Sequence, residues 1–551
     1  MAIRNRTATN RRGWLLFSGL GSGLLCLLAM AAWFYFAPVH QLDLLIEHGT
    51  VVDGTGGKPR VCDVGIRDGK VVALGSWRFL FSRVKLRLDA RNKIVAPGFI
   101  DVHTHVEPNL PASGIFRPAN FLRQGVTTII TGNCGRSRVN VAEMFRNLEK
   151  HGTAINVATL VGHNSVRREA MGEDARRPSP VELSRMKQLV KKAMEDGALG
   201  LSTGLAYVPG RFAETSEIVA LAKAAAEQDG MYVSHIRDEG REGIAAIREA
   251  LDIGGKAQAW THISHFKCSG PAQWHTMTQR LLLLEAARQV GQHVTIDVYP
   301  YNRSSTTTDV LLPDWAVKDH RAGLRQAAQD AEIRQELHAD LLRRLREDGW
   351  RDLKHVLLAA GRPEWVGHTL AEVPIASADL DQQIENLIEV SLRGGAQAIY
   401  ADMNEADVAQ VIADPFCVFG SDSAVRDPDW QYKPHPRGSG TFPLIFRSYV
   451  REKNLLQLSN AVYKSTGQAA GIFSLKNRGH LRAGEWADVV IFDPKRIEDG
   501  ADYDHPFTEP SGIDYVIVNG VIVVDHGSLT GDKPSGQALK KALPVPPRVE
   551  E

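Results

Sequence analysis

The chain has 551 residues, enough for two or three domains and for a sizeable buried core. Its apolar fraction is 43% and its charged fraction 23%, which excludes a disordered or low-complexity protein. Lys+Arg 65 against Asp+Glu 64 leaves no basic surplus to point to nucleic acid, and the five scattered cysteines (Cys26, Cys62, Cys134, Cys268, Cys417) do not form a disulfide framework.

In chain order, residues 1–40 stand apart as a membrane anchor or signal segment. Arg4, Arg6, Arg11 and Arg12 precede an uncharged run from Gly13 to Val39, closed by Trp33, Phe34, Tyr35 and Phe36. That run is long enough for the roughly 20 residues of a transmembrane helix, and the aromatic belt fits a membrane interface. Basic residues before the span place the body of the protein outside the cytoplasm, so the sequence predicts a membrane-anchored, extracytoplasmic catalytic domain. A signal peptide cut near Ala29-Met30-Ala31 is the competing reading.

Residues 41–97 are short, β-rich and punctuated by turns, with Asp68-Gly69 as a hairpin signal. A matching pattern recurs over 467–551, with "ADVVIFDP" (487–494), "YVIVNGVIVVDHG" (515–527) and Asn519-Gly520 at a turn; the tail after Gly527 is expected to wrap the surface. The two ends are expected to form one small β-sandwich that brackets the region 98–466. In that region short apolar runs alternate with helical stretches: "GFIDVH" (98–103), "GVTTIITG" (125–132), "INVATLVGH" (155–163), "ALGLST" (198–203), "MYVSHI" (231–236), "AWTHISH" (259–265), "VTIDVYP" (294–300) and "CVFGSDS" (417–423). Eight such repeats predict a (β/α)8 TIM barrel. An insertion at about 302–362 contains helical pieces and is expected to lie over the barrel mouth. The predicted fold is thus α/β: a TIM barrel, a β-sandwich from both chain ends, and an N-terminal transmembrane helix.

Barrel enzymes place their chemistry at the C-terminal ends of the strands. Those ends carry His103, His105, Cys134, His235, His265 and Asp422. His103 and His105, two apart on a strand, share a face. Imidazole, thiolate and carboxylate are the donor set of zinc. A lone strand-end histidine is ordinarily a core or rim residue, and His163 is read as a rim residue; the joint pattern is what points to a metal.

The segments "VAPGFIDVHTH" (95–105), "TGNCG" (131–135), "GLSTGLAYVPG" (200–210), "SHIRDEG" (234–240), "ISHFKCSG" (263–270), "DVYPY" (297–301), "GSDS" (420–423) and "HPRGSGTFP" (435–443) resemble the D-aminoacylase, or N-acyl-D-amino-acid deacylase, branch of the amidohydrolase superfamily. The resemblance covers about residues 42–535. It implies a tight zinc site held by Cys134, His235 and His265. It also implies a second, weaker position using His103, His105 and Asp422 and sharing the cysteine. The bridging carboxylated lysine of many relatives has no counterpart in "ALGLSTG" (198–204), and Cys134 explains its absence. Zinc lowers the pKa of a bound water from about 16 to about 7, and Asp422 is placed to shuttle the proton; an N-cap is the alternative role for Asp422. Arg437 offers a bidentate fork for a substrate carboxylate. By resemblance Lys267, Tyr207, Tyr299 and Ser305 line the pocket, with aromatic packing as the alternative for the two tyrosines. The function implied is zinc-dependent hydrolysis of N-acyl-D-amino acids to a carboxylate and a D-amino acid. Alternatives are a D-residue dipeptidase or cyclic-amide hydrolase of the same superfamily, and a non-catalytic membrane-tethered barrel. The expected partners are a small N-acyl amino acid and, through the first segment, a membrane.

Overall fold

The computed structural model describes residues 41–541 except 80, 81, 111, 112, 430 and 532. Eight parallel strands form a closed barrel. They are Phe99–Asp101, Val126–Thr131, a third strand in two pieces (Asn156–Thr159 and Val161–Gly162), Gly200–Gly204, Met231–His235, Thr261–Ile263, Val294–Val298 and Cys417–Phe419. The ring closes between its first and last strands: the amide of Asp422 donates to the carbonyl of His103 at 2.8 Å, and that of His105 to Ser423 at 2.8 Å. These strands are buried on both faces, which favours continuous apolar, β-branched runs over alternation. One of the helices between them starts at a full capping box. Ser179 accepts from the amide of Glu182, whose side chain answers the amide of Ser179, and the helix Pro180–Glu195 follows.

Two further sheets are built from both ends of the chain. A seven-stranded sheet runs from Ser528–Leu529 through Val521–Asp525, Ile513–Val518, Val489–Phe492, Ile94–Pro97 and Thr50–Val51 to Arg60–Val61. A four-stranded sheet holds Lys70–Leu74, Val64–Arg67, Gln41–Glu47 and Arg83–Asp89. One apolar layer joins residues of both sheets, including Leu44, Ile66, Val71, Val95, Val489 and Ile517. Tight hairpins stand at Asp68-Gly69 in the four-stranded sheet and at Asn519-Gly520 in the seven-stranded one, with φ of 52° and 73°, and 48° and 81°. Positive φ at both central residues is what Asp-Gly and Asn-Gly turns accommodate. The two turns also touch. A Cβ on Gly69 would lie 2.8 Å from the carbonyl oxygen of Asn519, and one on Gly520 would lie 2.8 Å from the Cα of Gly69. After the last hairpin the tail does more than follow the surface: Val157 of the third barrel strand donates to Gln537 at 2.9 Å, and Leu539 donates back to Val157 at 2.8 Å.

The inserted body is larger than the run 302–362 expected from sequence. Ser304–Thr307, Gln397–Tyr400 and Val356–Ala360 make an antiparallel sheet with the strand 397–400 in the middle. The helices Asp314–Ala327, Ala331–Glu347 and Leu380–Leu392 pack on it around a separate core that includes Leu337, Leu358, Ile384 and Ile388. Its strand Ser304–Thr307 runs beside the barrel mouth.

The transmembrane helix must be corrected. The candidate run 13–39 lies outside the described residues, and among the described residues no helix is long and apolar enough to cross a membrane. The membrane partner expected with that helix therefore has no support in the structure.

Candidate metal centre and active site

Six side chains named from sequence converge at the barrel mouth. The ligand atoms of His103, His105, Cys134 and Asp422 lie within 4.8 Å of one another, and so do those of Cys134, His235 and His265. Cys134 belongs to both groups. Its Sγ stands 3.3 Å from His103 Nε2, 3.7 Å from His235 Nδ1 and 3.5 Å from His265 Nε2. His105 Nε2 is 2.9 Å from Asp422 Oδ1. Burial raises the Cys134 thiol pKa, but the imidazoles of His103 and His265 outweigh it and hold the pKa well below the ordinary range, so the thiolate is favoured.

Two of the inner imidazoles are backed by a partner on the other side of the ring. His103 turns Nδ1 to Asp297 Oδ2 at 3.2 Å, and His265 turns Nδ1 to Glu239 Oε1 at 2.8 Å. An imidazole that donates from one nitrogen presents a lone pair at the other, the arrangement found around bound metals. Asp297 ties the centre together. It also takes His262 Nε2 at 3.0 Å and the amide of His265 at 2.9 Å. Burial works against an ionised Asp297, but His103 and His262 overcome it and hold its carboxyl well below the usual range. Neither Asp297 nor Glu239 was singled out from sequence, although both stand inside quoted motifs. The available signal was an acid at a strand end in "DVYPY" and one four residues after His235 in "SHIRDEG".

The backbone at the centre is unusual. Cys134, His265 and Asp422 have φ of 51°, 35° and 50°. Left-handed conformations are costly for residues other than glycine and gather at functional sites. Asp422 sits in a turn with no helix directly after it, so it does not cap a helix. His163 is fully buried and bonds Glu217 at 2.8 Å, beside the Arg167–Glu217 pair; it is a core residue away from the centre.

The residues expected to bind substrate surround this floor. Arg437, 4% exposed, places Nη1 2.9 Å from Asp422 Oδ2 and donates from Nη2 to the Ser305 carbonyl at 3.3 Å, while its Nε has no partner. It lies 4.6 Å from the ring of Tyr299, which is buried and packs under it. Lys267 Nζ is 2.6 Å from Glu239 and 2.8 Å from His265 Nδ1. The Tyr207 ring lies 4.6 Å from that of His235, and its hydroxyl accepts from Thr306 at 3.1 Å. Ser305, half-buried, lines the cavity through the strand Ser304–Thr307. His435, missed from sequence, accepts from the Arg437 amide at 3.0 Å; burial and Arg437 hold its pKa well below the ordinary value, which keeps it neutral.

Comparison with known proteins bears on this arrangement. Residues 88–524 match the amidohydrolase family. N-acyl-D-glutamate deacylase of Alcaligenes xylosoxydans xylosoxydans is 36% identical, over 88% of this chain and 94% of its own length. D-aminoacylase of the same organism is 32% identical, over 91% and 98%. This chain belongs to the D-aminoacylase family of amidohydrolases. A crystal structure of N-acyl-D-glutamate deacylase from Bordetella bronchiseptica, complexed with zinc and a phosphonate inhibitor, superposes with a TM-score of 0.76 at 33% identity, covering 91% of this chain and 100% of that one. A D-hydantoinase structure shares the fold at 17% identity and a TM-score of 0.56. Family membership and the donor cluster together mark the barrel mouth as a metal-binding site.

Proposed function

We propose that this chain is a zinc-dependent deacylase that hydrolyses N-acyl-D-amino acids to a carboxylate and a D-amino acid. The observation that carries the reading is the convergence of two imidazoles and a thiolate (His235, His265, Cys134), with His103, His105 and Asp422 beside them and a buried Arg437 2.9 Å from Asp422. The donor set fits the metal: one sulfur and two nitrogens make a three-ligand zinc site with an open position. His103, His105 and Asp422 would hold a second, weaker ion that shares Cys134. When bound, zinc supplies Lewis acidity, polarising an amide carbonyl and acidifying water.

The chain's own residues supply the rest. Arg437 leaves its contact with Asp422 to take the α-carboxylate of the substrate in its fork. Asp422 accepts a proton from the attacking water and returns it to the leaving nitrogen. The water oxygen bonds to the carbonyl carbon, the C–N bond breaks, and the products are a carboxylate and an amine. Tyr299 stacks under Arg437 and restricts the fork to one plane. With the carbonyl and the α-carboxylate both fixed, handedness follows from which way the remaining side chain points. Tyr207 and the strand Ser304–Thr307 close one of those directions.

The test is a panel of N-acetyl-D- and N-acetyl-L-amino acids assayed with zinc. The D-isomers should turn over at least about tenfold faster, and Arg437→Ala should raise KM and narrow that gap, since a lost charge-assisted bond is worth about 1.5–3 kcal/mol. Equal rates on both isomers, or equal activity on an amide without a free carboxylate, would refute the reading.

A further inference from the structure

The cavity at the barrel mouth has two lobes that meet at Tyr207, Ser305, Thr306 and Asp422. The smaller lobe, about 230 Å³, has charges that answer each other. Lys267 pairs with Glu239 at 2.6 Å, Arg237 with Glu249 at 2.9 Å, and Arg241 with Glu347. The larger lobe, about 960 Å³, is lined by Arg136, Arg138, Arg168, Arg426 and Arg437, with Glu107 and Asp422 as its acids. Two of these arginines are committed: Arg168 to Glu173 at 2.8 Å, and Arg437 to Asp422 at 2.9 Å. Arg136, Arg138 and Arg426 have no carboxylate within ion-pairing distance among the described residues. Arg136 lies 5.5 Å from the ring of Tyr207. Arg138 reaches only the backbone carbonyl of Glu107, at 3.5 Å. Arg426 lies 6.0 Å from the ring of Tyr432. It runs past Gly438, the neighbour of Arg437, where a Cβ would stand 2.6 Å from its Nε. Glu107, the other acid of the lobe, is buried, and none of the three arginines forms an ion pair with its carboxylate.

Three guanidinium groups therefore face one cavity beside the metal ligands without an ion pair among the described residues. Two of them follow Cys134 by two and four residues, on the loop that positions the thiolate. Guanidinium groups match carboxylates in planar, two-bond geometry, and a concave site lined by one sign of charge gathers ligands of the other. Arg437 is reserved for the α-carboxylate, and a lobe of this size exceeds what an acetyl group fills.

We propose that the Arg136–Arg138–Arg426 lobe binds a second carboxylate of the substrate, so that the preferred substrates are dianionic N-acyl-D-amino acids. This rests on the deacylase reading above. The second carboxylate sits either on the amino-acid side chain, as in a D-glutamate, or on the acyl group, as in a succinyl amide.

The zinc-loaded full chain is assayed with N-acetyl-D-glutamate, N-succinyl-D-leucine, N-acetyl-D-leucine and N-acetyl-D-lysine. One of the two dianions should exceed N-acetyl-D-leucine in kcat/KM by at least about tenfold, the weight of one charge-assisted contact. Which dianion wins says where the second carboxylate lies. That advantage should shrink as salt is raised. The double variant Arg136→Ala/Arg138→Ala, made at two exposed positions, should collapse the ratio of dianion to N-acetyl-D-leucine through KM. Arg426→Met should do the same from the other wall. If N-acetyl-D-leucine is cleaved as well as both dianions, or the double variant leaves the ratio unmoved, the lobe assignment falls while the deacylase reading stands. If none of the four is hydrolysed, both fall.

Discussion

At the floor of the cavity Lys267 and Arg437 each face a carboxylate, whereas the wall formed by the Cys134 loop and the segment before Arg437 leaves several cations without an ion pair among the described residues. The floor is carried on barrel strands. There Asp297 alone serves His103, His262 and the amide of His265. The wall is carried on connections, and Arg136 and Arg138 are exposed. A buried charge must be paired to be tolerated, so the floor is fixed in geometry. A solvent-facing cation can wait for a ligand, so the wall is free to set selectivity. The same division separates reaction from substrate choice: the floor's donors suit any amide, and the wall's charges suit particular ones.

The sharpest way to break this contrast is to remove the atom shared by both ligand groups. Cys134→Ala should lose bound zinc and activity together, because its Sγ lies within 3.3–3.7 Å of three imidazole nitrogens. Metal analysis of the purified variant checks it. Normal zinc content would mean that the floor does not depend on the thiolate.

A smaller effect is expected one step further out. Asp297→Asn keeps the size of the side chain but removes the charge that both His103 and His262 face. Partners of this kind are worth about 10–100-fold in metal affinity. Competition with a chelator should show that loss, and excess zinc should restore turnover towards that of the parent. A variant with unchanged affinity would show that the ligands are positioned without Asp297.

The sequence made the floor legible and the wall only partly so. The eight strands are buried, apolar runs between turn residues, and the ligands stand at their ends. Asp68-Gly69 and Asn519-Gly520 fixed their turns because few other dipeptides tolerate positive φ at both positions. The extent of the insertion was not legible. Ser304–Thr307 pairs with Gln397–Tyr400, with Thr306 opposite Ala398, and no local pattern announces a partner that far along the chain. The left-handed backbone of Cys134, His265 and Asp422 is likewise imposed by tertiary packing. Asp297 and Glu239 were hidden for another reason: an acid reads as a ligand or a solvated charge until its neighbours are known. The membrane helix read from the first segment finds no support among the described residues.

The smallest effect expected lies in the inserted body and tests whether it is stabilised separately from the floor. His355 stacks on Trp350 with ring centroids 3.5 Å apart, and its Nδ1–H donates to the carbonyl of Asp352 at 2.8 Å. Burial lowers its pKa from 6.5 to about 4. Between those values the unfolded chain binds a proton that the folded insertion does not. Stability tied to the neutral ring is therefore fully present above about pH 6.5, is lost as pH falls, and reaches its lowest level below about pH 4. With the ring partly exposed, the loss should be on the order of 1–2 kcal/mol. His355→Gln keeps a polar side chain of similar size without the titration. Hydrogen exchange in the helix Ala331–Glu347, corrected for its intrinsic pH dependence, should show protection falling between pH 6.5 and 4 in the parent and falling less in the variant. Zinc content at neutral pH should be the same in both, since His355 touches no ligand. Matching exchange profiles would show that the insertion's stability does not depend on this histidine, and a drop in zinc at neutral pH would show that floor and insertion are not separable here.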